Sequence, residues 1–416
     1  MSIGYESFAL GVKGTDFIDL NQESSNREKQ IEIMTLNLKS LEKLLDYNIA
    51  NQIGFFSIDS KLIPFGAKNQ SDFLWEEIFR SEFTKLGEKI NQAKIRISMK
   101  PDKLNLLNSI NEEVASEAMK DLEVHAKFLQ ALNLGREHKM VINVGGIVGG
   151  KKEALERLKY RFHGLDKSIQ MRIALINDET DYNLMDVLDL GKVLHLPVVF
   201  HNRNHALNPS VVDKDEKSWI KDCKASWKEN DGDQILYYTE INSGKPSDFL
   251  AETIGIKKFL DFYQKLDPGV DLMLESRDRN LSAVKCINCI LDHGEIKVLE
   301  VEWQKYKYTV LENSHQAYLQ IRSLLKEKDK YPAILFYTLI EEALKGKKRE
   351  GFVNAAQHVW GYFKKCASDK EKNDFLRIME EYKVGKTTMN EIKKSLWKLA
   401  MKYEVKYLVE SYYFIL

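Results

Sequence analysis

The sequence predicts an α/β fold: an eight-stranded (β/α)8 TIM barrel followed by a smaller all-helical C-terminal domain. Two observations predict the barrel. Eight short apolar runs, rich in Ile, Val, Leu, Phe and Tyr, fill the first three quarters of the 416 residues. Each run ends in polar or charged residues and is followed by a stretch of helical periodicity, as β-then-α units require. A third observation predicts the second domain. From about Trp303 onward no such run recurs, and helical patterns alternate with short breaks.

The expected strands are, in order, Ser2 to Phe8, Gly54 to Asp59, Lys94 to Met99, Lys139 to Val144, Met171 to Asn177, Pro197 to His201, Gln234 to Glu240 and Asp271 to Glu275. Their continuous apolar character suits strands buried on both faces. The intervening segments are amphipathic. In Asn111 to Leu132, for example, Val114, Ala118, Leu122, Ala126 and Leu129 recur at three- and four-residue spacing and give one apolar face. A barrel of ordinary size ends near residue 296, so residues 303–416 form the second domain, joined by a short linker at the change of pattern. Four to six helices are expected there, with breaks at Lys330 to Pro332, Gly346 to Gly351 and Gly385 to Thr388.

Basic and acidic residues number 62 each, so whole-chain charge excludes nothing. Residues 301–416, however, hold 22 basic and 15 acidic groups, which leaves the remainder acidic. A phosphate backbone attracted by bulk charge would therefore meet the tail first. No basic segment leads into a long apolar core at the amino terminus and no run reaches membrane-spanning length, so a cytoplasmic protein without a membrane partner is expected. Four cysteines make no disulfide framework, and Cys286 with Cys289 reads as helix packing rather than a zinc or redox pair.

In a TIM barrel the residues just past each strand line the active site. Read in order, those of this chain resemble the ultraviolet-damage endonuclease family, TIM-barrel enzymes of DNA repair. The resemblance covers roughly residues 1 to 285. It rests on IGY at Ile3 to Tyr5, SKLIPF at Ser60 to Phe65, RISMKP at Arg96 to Pro101, INVGGIVGG at Ile142 to Gly150, IND at Ile176 to Asp178, PVVFHNRNHALN at Pro197 to Asn208 and LMLESRDR at Leu272 to Arg279.

The resemblance implies a cluster of His, Asp and Glu that holds manganese or similar ions and activates water against a phosphate 5′ to a lesion. This chain departs from that pattern. Lys61, Lys100, Asn143, Asn204 and Tyr237 stand where ligand histidines are usual, Ile176 where a bridging glutamate is usual, and His201 where an aspartate is usual. Pro246 replaces one more ligand. Glu275 clearly remains, and His205 survives. Ammonium groups repel a divalent cation and isoleucine offers it no ligand atom.

The leading expectation is thus a catalytically degenerate relative, a pseudoenzyme without a metal cofactor, that binds damaged DNA or a repair partner. Lys61 and Lys100 would supply the positive charge that metals otherwise supply. The alternative is a rebuilt manganese or zinc site of His201, His205, Glu240 and Glu275, all at strand ends, in an active endonuclease. Tyr5 matches a tyrosine that helps distort damaged DNA, although strand tyrosines also serve as core packing. Lys103 and Leu104 replace the family's lesion-probing Gln and aromatic residue, with Lys103 retained as a DNA-contacting candidate.

The tail resembles the YbgA-type domain of uncharacterised function through NAAQHVWGYFKK at Asn354 to Lys365 and EEYKVGK at Glu380 to Lys386. A tail-domain site is expected at Asn354, Gln357, His358, Tyr362 and Lys364. Asn354, Gln357 and His358 share one helical face, as do His358 and Tyr362. The structural alternative is an internal polar network between helices. In a third reading of the whole chain, the barrel is an interaction scaffold and the tail carries the ligand site.

Overall fold

A computed structural model describes residues 1–19, 27–64, 74–101, 106–212, 214–241, 250–346 and 349–416. It divides into two compact units, Met1–Ala9 with Lys13–Ile287 and Leu10–Val12 with Asn288–Leu416. The division falls inside the helix Asn280–Ile290, and the helix Ile296–Asn313 occupies the interval where the change of pattern suggested a linker. No helix among the described residues is long and apolar enough to cross a membrane.

The first unit is a closed barrel of eight parallel strands in sequence order. They are β1 Ile3–Glu6, β2 Phe55–Asp59, β3 Arg96–Lys100, β4 Lys139–Asn143, β5 Ile173–Ile176, β6 Val198–His201, β7 Gln234–Tyr238 and β8 Val270–Leu274. Every expected strand is present, with ends that differ from the expected ones by no more than two residues: most are shorter, β3 runs one residue further to Lys100, and β8 begins and ends one residue earlier. The helix expected over Asn111 to Leu132 spans Glu112–Ala131, with the Asn111 side chain capping the N–H groups of Glu113 and Val114. Inward-pointing Phe55, Val141, Ala174, Ile176, Val199, Ile235, Tyr237 and Met273 fill the barrel as one core. At Gly4 a Cβ would lie 1.8 Å from the Phe55 carbonyl oxygen, so only glycine lets β1 approach β2 this closely.

The amino ends of the strands are sealed by charge rather than by apolar bulk. Arg96 pairs with Asp271 at 2.9 Å, donates to the backbone carbonyls of Glu137, Asp231 and Asp233, and lies over the Trp227 ring. Beside it the fully buried Lys139 pairs with Asp231 at 2.7 Å and donates to the Met171 carbonyl at 2.8 Å. Both cations are held by a carboxylate and by carbonyl oxygens, which is the condition for tolerating buried charge.

The second unit is helical. Its longer helices are Ile296–Asn313, His315–Leu324, Ala333–Leu344, Arg349–Trp360, Asp369–Lys383 and Met389–Lys402, followed by the short turn Lys406–Val409. Ser368 and Thr388 each close a capping box with a glutamate three residues on, which fixes where the last two long helices begin. Gly351 permits a close helix crossing, since a Cβ there would lie 2.2 Å from the Glu312 carbonyl oxygen. The unit's core runs from Tyr308 and Leu311 through Phe352, Val359 and Phe363 to Leu396 and Tyr413. Cys286 and Cys289, on the helix Asn280–Ile290, are buried and form no disulfide.

Candidate functional site

At the carboxyl end of the barrel five strands bring charged and aromatic side chains to one point. Lys100 closes β3, Glu6 closes β1, His201 closes β6, Tyr237 lies on β7, and Glu275 follows β8. Lys100 Nζ donates to Glu275 Oε1 at 3.2 Å and lies 3.7 Å from Glu6 Oε1. His201 Nε2 lies 2.8 Å from Glu275 Oε2. The Tyr237 ring supports both partners of Glu275, stacking on His201 with centroids 5.8 Å apart and sitting 4.8 Å beneath the Lys100 ammonium.

The electrostatics of this cluster are mutual. Burial pushes Glu6 above the usual carboxylate range, and Lys100 offsets that only in part. Burial acts the same way on Glu275, but His201 and Lys100 overrule it and hold that carboxyl well below the usual range. Against its own burial, Lys100 is held above the ordinary lysine value by Glu6 and Glu275. Glu275 is therefore an engaged anion rather than a free base, and Lys100 is a fixed cation rather than a nucleophile.

Around the cluster, Glu6 Oε1, Ser98 Oγ, Tyr237 Oη and His201 Nδ1 are buried without a hydrogen-bond partner of good geometry. Unsatisfied groups are costly and cluster where a solvent molecule or ligand is received. A cavity of about 390 Å³ opens over Glu6 and Glu275, with Phe8, Arg277 and Arg279 on its rim. Arg279 donates to the Glu6 carbonyl at 2.9 Å and covers the Phe8 ring at 4.2 Å.

The other expected barrel residues lie elsewhere. Lys61 is exposed on the short turn Ser60–Leu62 and does not join Lys100, a correction to the pairing expected of the two lysines. Tyr5 is fully buried, with its hydroxyl on Asn48 Oδ1 at 3.0 Å and its ring against Phe56, so it is core and not a DNA-contacting side chain. Ile176 belongs to the barrel core. Asn143 is half-buried at the end of β4. Asn204 donates to the Asn177 carbonyl at 2.8 Å, while Asn177 exchanges hydrogen bonds with the backbone of His201, so both asparagines secure the turn after β6. Asp178 accepts from the N–H groups of Thr180, Asp181 and Tyr182. Lys103 and Pro246 lie outside the described residues.

Of the four residues considered for a rebuilt metal site, only His201 and Glu275 meet. His205 packs against Phe200 and Trp219, where burial lowers its pKa, and Glu240 accepts from Gly255 N at 2.7 Å and pairs with Lys258. Among the described residues no three of His, Cys, Asp and Glu converge as a metal-holding group. A divalent ion between Glu6 and Glu275 would meet the Lys100 ammonium, so this donor set does not fit manganese or zinc.

In the helical unit the expected site residues face outward. Gln357, His358, Tyr362 and Lys364 are exposed and Asn354 is half-buried, so they are not the internal network that was the structural alternative. Tyr308 donates to the Tyr362 hydroxyl at 3.0 Å.

Sequence reasoning missed Glu6. The available signal was a lone acidic residue inside the first apolar run, two residues before its expected end.

Comparison with known proteins places these features in a family context. A family model described as UV-endonuclease UvdE matches residues 8–307, and one described as a protein of unknown function (DUF1722) matches residues 307–416. A UV DNA damage endonuclease of Clostridium perfringens is 29% identical over 408 residues, 95% of this chain and 97% of that protein. One of Bacillus cereus is 25% identical over 300 residues, 69% of this chain and 94% of that protein. Among solved structures, the crystal structure of SacUVDE is 27% identical with a TM-score of 0.65, covering 70% of this chain and 98% of that one.

Proposed function

The chain belongs to the UV-endonuclease UvdE family, and on that premise we propose that it serves DNA repair in the cytoplasm by binding damaged DNA or a repair partner at the barrel mouth, without metal-dependent cutting. The observation that carries this reading is the Lys100 ammonium between Glu6 and Glu275. It stands between the two carboxylates and offsets part of their charge, with His201 engaging Glu275 from the other side, so a metal ion would have to displace a cation already in place. The rim arginines Arg277 and Arg279 and the open cavity between them suit a phosphate-bearing ligand. DNA as that ligand follows from the family.

The test is incubation with ultraviolet-irradiated supercoiled plasmid and manganese, beside unirradiated plasmid, with nicked circles and retention on irradiated DNA both measured. Retention without nicking is the expected result. Lesion-dependent nicking would sink the degenerate reading and restore an active endonuclease, in which His201→Ala should then abolish cutting.

A further inference from the structure

The helical unit carries a second feature that the barrel mouth does not explain. Along the helix Ile296–Asn313, Trp303 and Lys307 stand one turn apart, and on the next helix Tyr318 and Arg322 do the same. Trp303 and Tyr318 meet with ring centroids 5.4 Å apart, and the Arg322 guanidinium lies 5.7 Å over Tyr318. Lys307 Nζ sits 4.6 Å over both Tyr308 and Tyr407. Tyr407 in turn stacks on Tyr362, with rings 5.8 Å apart and only 12° from parallel.

The result is one continuous strip of rings interleaved with cations, drawn from four segments of the chain. Tyr362 is 40% exposed, Arg322 is exposed, and Trp303, Lys307, Tyr318 and Tyr407 are half-buried. Neither Lys307 nor Arg322 has a carboxylate at ion-pair distance among the described residues. Lys307 feels Arg322 as its charged neighbour, and burial together with that like charge lowers its pKa. Two cations kept close together, unneutralised and set among ring faces ask for an anion that also offers flat π surfaces. A surplus of seven basic groups over residues 301–416 adds the long-range attraction.

We propose that this strip is a binding platform for single-stranded nucleic acid, with bases stacking on Tyr362 and on the Trp303–Tyr318 pair and phosphates held by Lys307 and Arg322. Ring faces accept any base, so the platform reads a strand's backbone and stacking rather than its sequence. It is separate from the barrel-mouth reading and stands or falls without it.

The full-length chain, titrated into a dye-labelled oligothymidylate at low salt and followed by fluorescence anisotropy, provides the test. The wild type should bind, Tyr362→Ala should bind about tenfold more weakly through loss of a stacking face, and Tyr362→Phe should bind as the wild type. Lys307→Ala should lower the slope of log affinity against log salt by about 0.7, the value of one single-strand phosphate contact. Circular dichroism and melting of each variant check that the helices persist. Absence of wild-type binding overturns the proposal. So does undiminished binding by folded Tyr362→Ala and Lys307→Ala, which would move the contact to another surface. Equal competition by polyglutamate would replace the nucleic acid with an acidic protein partner and overturn it as well.

Discussion

Lys100 donates to Glu275 at 3.2 Å across the barrel mouth, linking the ends of the third and eighth strands over 175 positions of sequence. Removing Lys100 leaves two carboxylates behind, Glu275 with only 9% of its side chain exposed and Glu6 with 25%, so water reaches them in part. Lys100→Met should therefore destabilise the chain by about 2 kcal/mol at neutral pH, less than a fully buried pair would cost. Urea denaturation measures it, and the deficit should shrink in acid as Glu6 and Glu275 take up protons.

Shortening the same side chain further should expose a cation site. In Lys100→Ala, Glu6, Glu275 and His201 face a space the ammonium no longer fills, with two carboxylates and one imidazole as donors. Manganese added to the wild type should keep its free-ion electron paramagnetic resonance signal, whereas the variant should diminish it. An undiminished signal with the folded variant would show that the donors cannot converge.

Glu275 also predicts a pH dependence. Its folded-state pKa lies below the unfolded value, so its contribution is complete above about pH 4.3 and is lost as the pH falls through the folded value. The stability gap between wild type and Glu275→Gln should be constant from neutral pH down to that point and narrow below it. Denaturant midpoints at a series of acid pH values follow the change.

Lys139 governs the opposite end of the barrel. Lys139→Ala takes its closest cation from buried Asp231, leaving Arg136 at 3.7 Å, and should cost about 3 kcal/mol. Guanidinium unfolding reads this directly. Burial lowers the Lys139 pKa to about 8, with Asp231 opposing. Since the unfolded chain holds that proton to higher pH, the residue's contribution to stability rises with pH from about 8 upward.

Tyr5→Phe distinguishes core from contact. Loss of the hydrogen bond to Asn48 should cost about 1 kcal/mol of stability. Affinity for irradiated DNA should stay unchanged, because the ring is fully buried.

The strands were legible because barrel strands buried on both faces leave continuous apolar runs whose lengths survive any change of site. Lys100, His201, Tyr237 and Glu275 were legible for a different reason, namely that family motifs fix which strand-end position each occupies. What the motifs could not fix was side-chain direction. One residue of register turns a side chain from the mouth to the core or to solvent, which is how Tyr5 and Lys61 came to be misplaced. Glu6 escaped because an acidic residue inside an apolar run carries no motif of its own. In the helical unit the outward-facing Gln357 and His358 could equally have faced a neighbouring helix, since helical spacing groups residues without saying which face is covered.

The charged seal formed by Arg96, Asp271, Lys139 and Asp231 at the amino ends of the strands has an evolutionary corollary. Because the most demanding polar contacts of the barrel are made at the end remote from the mouth, substitutions divide by depth along the barrel axis. Near the seal they cost the most stability; near the mouth, where side chains keep some contact with water, they cost less. A lineage that varied its mouth residues one at a time would pass through folded intermediates on which selection could act.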